Sequence, residues 1–352
     1  MSKNKKKKKN RRVVKRKYKS SKVNSELTLM GVNAAGLSSK LHSLDKVLSD
    51  TNPGVFFIEE TKMRNVGKIR IENASKYQIF ERPRKNGRWG GGLALGVHHD
   101  LNPVWVGEGE NETESLSVII NVQNFKIRCV AAYGPQETGP SIEEKSKFWA
   151  QLDWEVAAAE SANTGLILQM DANVWAGPNL IPGDPNPQNS NGKLFEEFMD
   201  RNPHLYLVNS LQLCVGLITR IRITKNKVEK AALDLFIVCD KVRPFIEKMS
   251  IDEAREHVLT NFNPIRSGGR AIESDHNTEF LKLRLQYDFK KSERKEIFNF
   301  KDVECQKTFL NLTSQTDKFT ECFRNDSELE DKALKWKKML NSFCQQSFKK
   351  SG

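Results

Sequence analysis

Eight side chains suited to handling a phosphate close six apolar runs of this chain. They are Asn33, Glu60 in Glu59-Glu60-Thr61-Lys62, Tyr133 in Tyr133-Gly134-Pro135, Asp171 and Asn173 in Asp171-Ala172-Asn173, Asp234 in Leu233-Asp234-Leu235-Phe236, and Asp275 and His276 in Ser274-Asp275-His276. Any one alone reads as a strand cap or a turn. Together, four carboxylates, two amides, a phenol and an imidazole are the groups needed to hydrolyse a phosphodiester with a hard divalent cation. Carboxylate and amide oxygens bind Mg²⁺, or Mn²⁺ in its place, while imidazole and carboxylate move protons or offset phosphate charge.

The elements that must carry these groups are mostly strands. Glu26 to Asn33 is a compact apolar run, followed by Leu41, Leu44, Val47 and Leu48 at helical spacing. Gly54 to Glu60 follows a Pro-Gly turn and ends abruptly in carboxylates. Strands are expected at Tyr77 to Glu81, Gly91 to Val97, Ser115 to Val122 and Phe125 to Tyr133. A long helical pattern, Glu143 to Ala162, feeds a strand at Gly165 to Asp171. A Pro- and Asn-rich loop to Asn191 precedes a helix at about Lys193 to Asp200. Then come a strand at Leu205 to Asn209 and a hairpin pairing Gly216 to Ile223 with Ala231 to Val238, its basic tip carrying Lys225, Lys227 and Lys230. Phe280 to Tyr287 closes the body by alternation. Beyond about Lys290 the pattern is charged and helical, with Ser327 and Glu330 spaced as a capping box ahead of Leu329, Ala333, Trp336, Leu340 and Phe343.

Charge separates a tail from this body. Residues 1–22 hold thirteen Lys or Arg and no acid, so the remaining bases equal the 44 acids and the whole excess of +13 lies in the tail. Such a segment cannot bury enough apolar surface to offset ordering entropy and reads as disordered. The expected layout is a polybasic tail at 1–24, a domain at 25–288 and a helical extension or linker at 289–352. No apolar run approaches the roughly 20 residues of a membrane span, and the basic start leads into no apolar signal segment. The six cysteines include no CxxC pair, which suits reduced thiols better than a disulfide framework or structural zinc.

In motif order, this chain resembles the endonuclease/exonuclease/phosphatase superfamily over about Glu26 to Leu285. Glu60-Thr61-Lys62 is similar to that family's Q-E-T motif, with Glu59 at the Gln position. Asp171-Ala172-Asn173 is similar to G-D-x-N with Met170 for Gly, and Ser274-Asp275-His276 matches the terminal S-D-H. Gly90 to Ala94 resembles the Gly-Gly-x-Ala strand and Tyr133-Gly134-Pro135 the Y-x-P turn.

The resemblance implies a four-layer α/β sandwich, two mainly antiparallel sheets flanked by helices. It also implies roles. Glu60 is the principal metal ligand, aided by Asn33 and Asp275. Asp171 and Asn173 orient the attacking water, Asp234 fixes His276 against the scissile phosphate, and Tyr133 donates to that phosphate. Cleavage leaves a 3′-hydroxyl and a 5′-phosphate. One departure is Ala35, where AP endonucleases often carry Asp.

Trp175, Thr219, Arg220 and Lys227 are placed to contact substrate, with packing or solvation the alternative for each. Thr219-Arg220 and the hairpin after it most resemble endonucleases of LINE-type retrotransposons, which nick DNA to supply a primer. DNA is then the partner, with a reverse transcriptase domain expected in a longer parent polyprotein and no membrane contact. The tail points to the nucleus, with the cytoplasm as the alternative. A stand-alone AP endonuclease, a lipid phosphodiesterase of the same fold and a catalytically silent binding protein are the competing readings.

Overall fold

The computed structural model describes residues 24–84, 91–108, 113–122, 125–224, 227–261 and 271–287. The expected tail at 1–24 lies outside them save for Asn24, which opens the first strand instead, and the helix expected beyond Lys290 lies outside them as well. In chain order the strands are β1 (Asn24–Asn33), β2 (Val55–Glu59), β3 (Tyr77–Arg82), β4 (Leu93–His98), β5 (Val104–Glu108), β6 (Glu114–Val122), β7 (Phe125–Tyr133), β8 (Gly165–Asp171) and β9 (Leu205–Leu207). There follow β10 (Cys214–Val215), β11 (Arg220–Ile223), β12 (Val228–Ala231), β13 (Asp234–Cys239), β14 (Ile246–Ile251), β15 (Thr260–Asn261), β16 (Ile272–Glu273) and β17 (Glu279–Tyr287). The helices are α1 (Leu41–Thr51), α2 (Ile142–Ser161) and α3 (Ser190–Arg201).

Two mixed sheets flanked by helices result. One has the order β10-β14-β17-β1-β2-β4-β3 and the other β5-β6-β7-β8-β13-β9. Parallel pairs (β1 with β2, β10 with β14, β7 with β8) interrupt otherwise antiparallel ladders. Alternation sorts the faces. Leu27 and Leu29 of β1, with Val55 and Phe57 of β2, join Leu116, Val118 and Leu168 of the second sheet in one buried core. The intervening Met30, Val32, Phe56 and Ile58 face α1 through Leu44, Val47 and Leu48 in a second cluster. Phe148, Trp149, Leu152 and Val156 of α2 pack with Phe195 and Phe198 of α3 on the second sheet.

Local chemistry explains the helix ends. Ser141 accepts from the Glu144 N–H at 3.2 Å while the Glu144 carboxylate accepts from the Ser141 N–H at 2.7 Å, a complete capping box for α2. The α3 helix begins at Ser190, earlier than Lys193, because the Asn189 side chain accepts from the Gly192 N–H at 2.8 Å.

The hairpin expectation needs correction. Only Arg220–Ile223 and Val228–Ala231 pair as a free two-stranded arm. β13 leaves that hairpin to pair with β8 and β9 in the second sheet. Polarity drives the exchange: β11 and β12 are largely exposed, whereas every residue of β13 is buried. β5 and β14 were absent from the sequence reading, their alternation being broken by Gly107 in one and Lys248-Met249 in the other.

Candidate active site

The polar strand ends converge. Register places Tyr133, Asp171 and Asp234 in a single row across β7, β8 and β13, Tyr133 beside Asp171 and Asp171 opposite Asp234. From the facing sheet, the Asn33 Nδ2 donates to Asp171 Oδ2 at 2.7 Å, while Asn33 Oδ1 accepts from the Ala35 N–H at 2.8 Å. Asn33 is thus a strut between the sheets, with an oxygen lone pair to spare. Asn173 adopts left-handed φ (50°), which lets its N–H donate to Asp171 Oδ1 at 3.0 Å and its side chain to the Gly134 carbonyl at 3.0 Å.

His276 completes the row from the first sheet's side. Its Nδ1 lies 2.8 Å from Asp234 Oδ2 and 3.1 Å from Oδ1, which assigns the proton to Nδ1 and leaves Nε2 free of that carboxylate. The Ser274 hydroxyl donates to the Asn33 carbonyl at 2.6 Å and accepts from the His276 N–H at 3.2 Å, fastening the Ser274–His276 segment to β1. Burial pulls the imidazole down, but the charge and hydrogen bond of Asp234 outweigh it and carry His276 up to about 9. The ring is therefore an imidazolium at neutral pH. Asp171 moves to about 7, first through burial and then through the Asp234 charge, with His276 opposing.

Glu60 stands just past β2 in left-handed backbone, φ 46°. Tyr133 Oη donates to its Oε1 at 2.5 Å and Lys62 Nζ lies 2.8 Å from its Oε2. Burial raises the carboxyl, but these two partners more than compensate and hold it below the ordinary range. Asp275 behaves alike: burial raises it, and His276 and Arg220 bring it lower. Arg220 Nε donates to Asp275 Oδ2 at 2.9 Å.

Donor chemistry fits a divalent cation. Asp171, Asp234 and His276 bring ligand atoms within 4.8 Å of one another, a cluster capable of holding such an ion. The resemblance nominates Glu60, Asn33 and Asp275 instead. Two observations favour that rim for the cation itself: Glu60 and Asp275 are held ionised, whereas His276 is protonated and Asp171 stays part-protonated near neutrality.

The four expected substrate contacts are dispersed. Arg220 is half-buried against Asp275, and Trp175 is exposed beyond β8. Lys227 sits on the arm with its ammonium 3.4 Å from Glu229. Thr219 is fully buried at the base of the arm. Sequence reasoning passed over Lys40, buried at the start of α1 with Nζ donating to the Ala34 carbonyl at 2.6 Å. Burial, then Lys62, lowers it to about 8, while Asp275 and Glu60 pull the other way. No local motif marks it. It also passed over Gln169 and Glu279, buried with Glu59 beneath the row.

This architecture is shared with several solved nuclease structures. The endonuclease domain of TRAS1, a telomere-specific non-LTR retrotransposon, superposes with TM-score 0.52 at 18% identity, covering 74% of this chain and 99% of that one. The AP endonuclease LMAP from Leishmania major gives 0.58 at 14% identity, covering 74% and 88%. The 3'-5' exonuclease NExo from Neisseria meningitidis gives 0.55 at 13%, covering 73% and 99%. No protein-family sequence model matches the chain, and no curated protein sequence does.

Proposed function

We propose that this protein is a Mg²⁺-dependent DNA endonuclease, with Mn²⁺ able to substitute, that nicks target DNA for a LINE-type retrotransposon. The observation that carries the hydrolase reading is the buried Tyr133-Asp171-Asp234 row with His276 seated on Asp234 and Glu60 tied to Tyr133. The free arm beside Asp275, and the likeness to the TRAS1 endonuclease domain, support the retrotransposon assignment. Nuclear location, and a reverse transcriptase in a longer parent chain, belong to the same reading.

The protein's own residues divide the work. Asp171, near 7, accepts a proton from the attacking water, and Asn173 holds that carboxylate in place. As the water oxygen bonds to phosphorus and the bond to the 3′ oxygen breaks, the leaving oxygen takes a proton from solvent. His276, kept cationic by Asp234, offsets charge growing on the phosphoryl oxygens. Glu60, Asn33 and Asp275 would hold the cation, which when bound polarises the phosphate and stabilises developing negative charge. Arg220, Trp175 and Lys227 contact the nucleic acid alongside.

Nicking of supercoiled plasmid in Mg²⁺ tests this, with an abasic duplex and a phospholipid run in parallel. Nicking by wild type that disappears in Glu60→Gln, Asp171→Asn and His276→Ala supports the nuclease. Preference for the abasic duplex by orders of magnitude transfers the protein to DNA repair, and turnover confined to the phospholipid removes it from nucleases altogether.

A further inference from the structure

Thr219 was expected at the substrate surface, yet its side chain is fully buried and every hydrogen-bonding capacity of its hydroxyl is taken. Oγ1 accepts from the Leu233 N–H at 2.8 Å and from the Asp234 N–H at 3.0 Å, and donates to the Ala231 carbonyl at 3.5 Å. Those three residues span the passage from the arm into β13, where the chain changes sheets. The main chain of Thr219 is also engaged on both sides: its N–H donates to the Ala231 carbonyl at 3.0 Å, and its carbonyl accepts from the Asn277 N–H at 2.6 Å. One residue on, Arg220 forms a backbone bridge with His276, and the Ile221 N–H donates to the Asp275 carbonyl at 2.8 Å.

Three segments therefore meet at Thr219: the arm, the start of β13 that carries Asp234, and the 274–277 stretch that carries Asp275 and His276. We propose that Thr219 is the positioning residue that sets the Asp234–His276 pair and joins it to the arm. Asp234 is the first residue of β13, and while its register opposite Asp171 and the Asn209 amide on its carbonyl hold one side, its N–H is anchored on Thr219. His276, in turn, sits where the bridge to Arg220 puts it. A shift at the arm's base reaches both members of the pair through hydrogen bonds of 3.0 Å or less. This assignment rests on the proposed role of that pair in hydrolysis, but its first readout needs neither DNA nor metal.

The test is the hydrogen-bonded Nδ1 proton of His276, read by NMR of the labelled imidazole in the full chain at one fixed pH, for wild type, Thr219→Val and Thr219→Ser. Valine keeps the shape and removes the acceptor, so Asp234 drifts from Nδ1 and the proton signal moves upfield or is lost to exchange. Serine keeps the acceptor and restores the signal. In plasmid nicking at pH 7, Thr219→Val lowers kcat roughly tenfold with KM held within about twofold, since substrate contacts are untouched. A loss of folded fraction lowers the apparent kcat without moving the signal of the folded molecules. If Thr219→Val does not fold, Thr219→Ala serves, because it leaves room for a water at the vacated acceptor; its signal moves less. A signal equal to wild type in whichever variant folds overturns the proposal. Absence of nicking by wild type refutes the nuclease reading and leaves the NMR result standing on its own.

Discussion

Asp171 and Asp234 face each other across an antiparallel pair, both fully buried, and only His276 among the described residues brings a positive charge directly onto either carboxylate. Neither acid is independent of the other or of the ring.

The first consequence is a bell-shaped pH dependence. Activity rises as Asp171 loses its proton near 7 and declines as His276 loses its own near 9. A bound cation moves the acid limb lower by favouring ionised Asp171. Asp234→Asn removes the charge that outweighs burial, so the His276 midpoint drops below its ordinary 6.5. The sign for stability follows: a histidine raised on folding contributes stability fully present below about 6.5 and lost as pH climbs through about 9. Histidine NMR and urea melts at pH 6 and 10 check both; a midpoint unmoved by Asp234→Asn defeats the account.

Glu60 and Asp275 each already carry a basic partner, Lys62 and Arg220. A divalent cation landing on Glu60 must displace the Lys62 ammonium. Lys62→Met is therefore expected to tighten Mn²⁺ binding, seen as loss of free-ion signal in electron paramagnetic resonance, whereas Glu60→Gln weakens it. Glu60→Gln also cuts kcat on the order of a hundredfold or more, the scale of removing a group that stabilises transition-state charge. Unchanged Mn²⁺ binding in both variants moves the cation to the Asp171-Asp234-His276 cluster.

Beneath the site lies a burden on stability. Glu59 is fully buried with neither carboxyl oxygen partnered, and Glu279 beside it has one oxygen without a partner. Burial, then the charge of Asp234, drives both well above the ordinary carboxylate range. An acid raised on folding favours the folded state below the unfolded pKa, about 4.5, and that advantage is lost as pH rises towards the folded value. Glu59→Gln, a near-isosteric exchange, removes this loss. At pH 7.5 it is expected to add on the order of 1–3 kcal/mol, read from urea unfolding, with the gain vanishing near pH 4. Equal stability at both pH values disproves the burial argument.

Which of these features were legible in the sequence follows from how local their causes are. β7 and β8 were bounded to the residue because continuous apolar runs end in committed polar groups, Tyr133 and Asp171. The cluster of Asp171, Asp234 and His276 was legible because each lies in a short motif of fixed order. The fate of β13 was not. Its sequence suits a hairpin partner or a core strand equally, and the choice depends on β8 offering a ladder from more than sixty residues away. Lys40 was hidden for the same reason: nothing beside it in sequence announces that α1 starts against the site. Thr219 was misplaced because a hydroxyl in a polar motif reads alike whether it faces DNA or a buried turn, and only the accounting of the Leu233 and Asp234 N–H groups distinguishes them.

The charge excess supplies a last expectation. With the body neutral, the thirteen bases of residues 1–22 are expected to supply nonspecific phosphate affinity, and the proposed chemistry rests with Glu60, Asp171 and His276. Each phosphate neutralised releases condensed counterions and adds about 0.9 to the slope of log K against log salt on duplex DNA. Deleting residues 1–22 should then flatten that slope by several units in a binding titration with Ca²⁺ in place of Mg²⁺. Single-turnover nicking of prebound plasmid should keep its rate, because every group assigned to the reaction lies in the body. If the slope is unchanged, the tail binds no DNA, and its role is confined to targeting.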